Sequence, residues 1–127
     1  MNAKELVDAA MALDAMTDLP RTGWVMRGVA APETLASHSF GVAWVTALLV
    51  DALRAEGETV DGEKALRMAL VHDAPEAKTG DVPMPQKTPE MKAALTELEA
   101  GIADRLLPDA TVFHEAARGE SLEARIV

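Results

Sequence analysis

A chain of 127 residues is long enough for one hydrophobic core and too short for two. Its net charge of −9, from 12 basic and 21 acidic residues, repels phosphate backbones and argues against duplex nucleic acid as a main partner, while leaving room for a small anionic substrate. Aromatic residues make up 3%, with no tyrosine and no cysteine; this favours packed helices over sheets, excludes disulfides and thiolate chemistry, and leads us to expect a cytoplasmic protein.

Asn2 is placed to cap a first helix over residues 3–16, with Leu6, Ala9, Ala10, Leu13 and Met16 at helical spacing. No signal-peptide pattern precedes it. Asp18-Leu19-Pro20 stops the helix, and residues 21–29 read as an irregular loop, two arginines and two glycines around Trp24, anchored by a buried indole. A second helix is expected over residues 37–56, apolar around much of its girth through Phe40, Ala43, Trp44, Ala47, Leu48, Val50 and Leu53, and so expected to be central. His38 falls in its first turn. The longest apolar run, residues 42–50, is interrupted by Thr46 and too short to span a membrane, so no membrane association is expected.

Asp61 is placed to cap a third helix over residues 62–74. Residues 79–85 read as a loop shaped by Gly80, Pro83 and Pro85. Thr88-Pro89-Glu90 is a strong helix start: a capping hydroxyl, a proline in the first turn, then an acid. That helix runs to residue 107, with Met91, Leu95, Leu98, Ile102 and Leu106 on one stripe. A short helix over residues 110–117, a turn at Arg118-Gly119-Glu120 and a last helix begun by Ser121 complete the chain. The expectation is one all-α domain over residues 1–127, without repeats.

The chemistry concentrates in Val71-His72-Asp73-Ala74-Pro75-Glu76-Ala77-Lys78-Thr79-Gly80-Asp81, where an apolar helix ends in one imidazole and three carboxylates. Imidazole and carboxylate together suit a divalent transition-type ion, which makes hydroxide available near neutral pH. On a regular helix His72 and Asp73 would diverge by about 100°. They can share an ion if the helix ends there, as Pro75 suggests. A third ligand must come from another element, and His38 is the best candidate. Glu76 follows Asp73 by three residues and so can face the same cavity and manage the protons of an attacking water; it can equally be a surface acid at a helix end. Asp81 can shuttle protons or simply shape its turn.

These segments, in this order, resemble the HD-domain metal-dependent phosphohydrolases, and within them the 5′-deoxynucleotidase branch. The resemblance rests on Leu19-Pro20-Arg21-Thr22-Gly23-Trp24-Val25-Met26-Arg27, Pro32-Glu33-Thr34-Leu35-Ala36-Ser37-His38, Ala69-Leu70-Val71-His72-Asp73-Ala74-Pro75-Glu76, Thr79-Gly80-Asp81 and Glu123-Ala124-Arg125-Ile126-Val127. It implies an HD-type helical bundle in which His38, His72 and Asp73 are metal ligands, for one divalent ion such as Co or Mn. Glu76 matches an acid near the metal-bound water, and Asp81 matches a catalytic acid after the Thr-Gly turn. Arg21 and Trp24 match a loop that meets phosphate and deoxyribose, which suits a guanidinium and an indole; Arg27 is a second phosphate candidate. The implied reaction is hydrolysis of 2′-deoxyribonucleoside 5′-monophosphates, in a homodimer. The family's fourth ligand, an Asp of the final helix, is expected about one turn beyond Val127, so the chain is expected to be a truncated form. Alternatives are an HD phosphohydrolase for another nucleotide, or a non-catalytic metal- or nucleotide-binding module lacking the fourth ligand.

Overall fold

A computed structural model describes residues 2–83 and 88–127. Met84 and Pro85, part of the expected loop, lie outside the described residues. The described residues are all-α, without a β-strand, and fall into two compact units: residues 1–38 with 73–109, and residues 39–72 with 110–127.

In the first unit α1 (Ala3–Asp14) begins on a reciprocal cap: the Asn2 side chain accepts from the Glu5 N–H, and the Glu5 carboxylate accepts from the Asn2 N–H. It continues as a 3-10 turn, Ala15–Thr17. Next comes α2 (Thr22–Met26), where the sequence predicted irregular loop; its glycine lowers helix propensity, and a tertiary tie described below overrides it. α3 (Leu35–Ala55) starts two residues before the expected position.

The other helices are α4 (Gly62–Val71), α5 (Glu76–Thr79), α6 (Pro89–Leu106), α7 (Thr111–Arg118) and α8 (Leu122–Ile126). α5 packs against α1 and the 3-10 turn. Thr88 caps α6 as expected, its hydroxyl accepting from the Met91 N–H at 3.2 Å. On α6 only the C-terminal part of the predicted stripe is deeply covered: Ile102 and Ala103 are buried, whereas Met91 and Leu98 are exposed.

In the second unit α4 packs with α7 and α8. Val50, Val60 and Ala65 form a core onto which Leu53, Leu122 and Ile126 pack. The start of α4 is fastened by polar ties: Asp61 caps it through the Lys64 N–H, the Asp61 N–H donates to Glu123 at 2.9 Å, and Lys64 pairs with Glu115 at 3.0 Å. Gly62 lies so close to Arg54 that an added Cβ would meet Nη2 at 3.0 Å, so the helix start is set by close packing as well as by its cap.

α3 departs from expectation. Its buried positions include Leu35, Ser39, Thr46 and Val50, but the stripe Phe40–Trp44–Leu48 is 71%, 62% and 56% exposed. Among the described residues that face is left mostly uncovered. Read as a whole helix instead of an unbroken apolar run, its 21 residues and mean hydropathy of 1.3 are long and apolar enough to cross a membrane, a test that core helices of soluble proteins also pass.

Candidate metal centre

Two extended stretches frame the start of the site. The Leu35 N–H donates to the Leu19 carbonyl at 2.8 Å and the Arg21 N–H to the Glu33 carbonyl at 2.9 Å, with Pro20 and Thr34 bridged between them. This clasp closes the intervening segment at its base, and one turn later His38 is held by its N–H bond to the Thr34 carbonyl at 3.0 Å. Arg21, Trp24, Glu33 and His38 therefore share one small frame. The Trp24 indole N–H donates to Glu33 Oε1 at 3.2 Å, and the same oxygen stands 3.6 Å from His38 Nδ1. The indole is half exposed, not buried as the loop reading expected, because it is held by this polar tie and not by a core. The other ring nitrogen of His38, Nε2, stands 3.6 Å from Asp73 Oδ2.

α4 ends at Val71, three residues earlier than predicted, so His72 is its C-terminal cap. Its N–H bonds to the Met68 carbonyl at 2.9 Å. Nδ1 lies 2.7 Å from the Ala69 carbonyl, which can only accept, so Nδ1 carries the proton and Nε2 is the nitrogen through which the ring could meet a metal. The helix end is thus what allows neighbouring residues to act together. His38, His72 and Asp73 each offer one ligand atom, and these atoms lie within 4.8 Å of one another. Two imidazoles and a carboxylate form a donor set that fits a divalent transition-type ion and does not select one.

Glu76 opens α5, and its carboxyl is pushed from the ordinary 4.5 up to about 8. Burial is the largest cause, followed by the charges of Asp73, Asp81 and Glu99, with the Arg21 guanidinium acting in the opposite direction. Gly80, at φ 70°, then turns the chain to present Asp81. Asp81 reaches across 59 positions: its Oδ2 accepts the Thr22 N–H at 2.9 Å, and its carbonyl accepts the Thr22 hydroxyl at 2.8 Å. α2 has no side-chain cap from its own N-cap residue, Arg21, so Asp81 does that work. Asp81→Ala is expected to cost about 1–2 kcal/mol in urea unfolding, whereas Asp81→Asn, which keeps an acceptor, should cost less than half as much. Arg27, at the C-terminal end of α2, is exposed.

Sequence reasoning missed two carboxylates. Glu33 was noted only as part of a segment; the signal was its place five residues before a candidate ligand, which says nothing until the clasp is seen. Glu99 was legible in principle, since it falls on the face of α6 that carries Leu95, Ile102 and Leu106, where a charge is out of place. A cavity of about 890 Å³ in the first unit lies elsewhere, with Glu5, Asp8, Lys78, Ile102 and Arg105 in its walls, and none of the candidate site residues lines it.

A family model described as an HD domain matches residues 13–127. Among curated proteins, the chain is 30% identical over 113 residues to the 5′-deoxynucleotidase hdd1 of Schizosaccharomyces pombe, a match covering 85% of this chain and 54% of that protein. It is 36% identical over 103 residues to the dATP triphosphohydrolase of Cyanophage S-2L, covering 79% and 54% respectively. The chain thus spans about half the length of these curated relatives. Among solved structures it is similar to the PH0347 protein of Pyrococcus horikoshii OT3, with a TM-score of 0.86 and 35% identity over 94% of this chain and 68% of that one.

Proposed function

The chain belongs to the HD-domain family, and on that premise we propose that it hydrolyses 2′-deoxyribonucleoside 5′-monophosphates to deoxynucleoside and phosphate, with His38, His72 and Asp73 holding one divalent ion such as Co or Mn. The observation that carries the reading is the cluster of His38, His72 and Asp73, whose ligand atoms lie within 4.8 Å of one another, with Glu76 near enough to feel both Asp73 and the Arg21 guanidinium. A divalent ion held by these three residues would supply a Lewis acid and would make hydroxide available near neutral pH. The chain's own groups do the rest. Arg21 orients the phosphate through its planar fork of donors. Glu76 takes the proton of the attacking water and returns one to the sugar 5′-oxygen as the phosphorus–oxygen bond breaks. Asp81 holds α2, and with it Arg21 and Trp24, against the site. Trp24 walls the deoxyribose.

The similarity to a dATP triphosphohydrolase supports a second reading, in which a nucleoside triphosphate is cut at the same 5′-oxygen and leaves triphosphate. A panel of deoxynucleoside mono- and triphosphates, with products resolved by anion exchange, separates the two. Free phosphate from the monophosphates supports the first; triphosphate from dATP with no release from any monophosphate replaces it with the second. The exposed stripe Phe40–Trp44–Leu48 supports an association surface of the kind a homodimer needs.

A further inference from the structure

His38 presents its two ring nitrogens to two different carboxylates, Nε2 to Asp73 Oδ2 and Nδ1 to Glu33 Oε1, each at 3.6 Å. An imidazole that binds a metal through one nitrogen is set in tautomer and tilt by whatever the other nitrogen meets. For His72 that partner is the Ala69 carbonyl, at 2.7 Å from Nδ1. Glu33 stands in the corresponding place for His38, and it is well held there. Its main-chain carbonyl takes the Arg21 N–H at 2.9 Å, and its Oε1 takes the Trp24 indole N–H at 3.2 Å.

The geometry points to Glu33 as a positioning residue for the metal centre. Its carboxylate favours the Nδ1–H tautomer of His38, leaves the Nε2 lone pair for the ion, and ties the Trp24 indole to the same ligand. His38 and His72 then offer the same nitrogen for the same reason, one secured by a main-chain carbonyl and the other by a side chain. The inference rests on the reading of His38 as a metal ligand.

The test is a cobalt(II) titration followed by visible absorption. Glu33→Ala is expected to weaken cobalt affinity about 10–100-fold and to change the cobalt absorption bands. Glu33→Gln, which keeps an acceptor without the charge, should fall between Glu33→Ala and the parent protein and serves as the second variant should alanine disturb the fold. If His38→Ala binds cobalt like the parent protein, the ligand reading fails and this inference with it. If His38→Ala loses cobalt while Glu33→Ala keeps the parent affinity and spectrum, this inference alone is overturned.

Discussion

With His72 replaced by alanine, the protein is expected to retain no divalent ion through dialysis and to lose phosphate release on the order of 10³-fold or more, beyond the 10–100-fold typical for groups that only support a ligand. The expectation follows from how this imidazole is held. Its Nδ1 faces the Ala69 carbonyl at 2.7 Å, which fixes the ring so that Nε2 is the nitrogen that would meet an ion. Removing it leaves one imidazole and one carboxylate, too few to compete with water for a transition-type ion. The fold should survive, because the side chain is only partly buried at a helix end; the stability cost should stay within about 1 kcal/mol. Metal content by mass spectrometry and thermal unfolding on one sample read both outcomes. A variant that keeps the parent's metal content would remove His72 from the ligand set.

Glu76→Gln should act in two opposite directions. Phosphate release is expected to fall about 10²–10⁴-fold, as for loss of a general acid–base group. In the presence of a chelator, the same change should stabilise the protein at alkaline pH. The Glu76 carboxyl titrates at about 8 in the folded protein against an ordinary 4.5, so between those values the folded state holds a proton that the unfolded chain has released. Stability therefore falls as pH rises through that window. Glutamine cannot ionise and escapes the loss. The variant should match the parent near pH 4 and exceed it by about 1–2 kcal/mol at pH 9, discounted because the group is only partly buried. Urea unfolding at the two pH values measures the difference. Equal stabilities at pH 9 would mean that Glu76 is an ordinary solvated acid, and its part in proton transfer would lose its physical basis.

Where sequence and structure agree, the signal was local. Asn2, Asp61, Thr88 and Ser121 were read as caps from residue type and position, and each side chain accepts the expected backbone N–H. The three candidate ligands could be picked out because a helix end, an imidazole and a carboxylate coincide at His72–Asp73, and because the order of the segments resembled a known family and so brought in His38; the fold places their ligand atoms within 4.8 Å of one another. Where they part, the cause is distant in sequence. α2 carries a glycine and forms a helix because Asp81, 59 positions away, caps it. Glu33 meets His38 only because residues 19–21 and 33–35 clasp. The exposed face of α3 could not be foreseen, since helical periodicity marks a face as apolar without saying what covers it.

The most direct test of the proposed activity is phosphate release from dAMP, dGMP, dCMP and dTMP by the chain, first freed of metal and then loaded with cobalt or manganese. We expect no release without metal, release from at least one monophosphate with it, and loss of that release both on chelation and in His72→Ala. A chain that binds the ion through these three residues yet frees phosphate from none of the four would contradict the phosphohydrolase reading, leaving a metal- or nucleotide-binding module in its place.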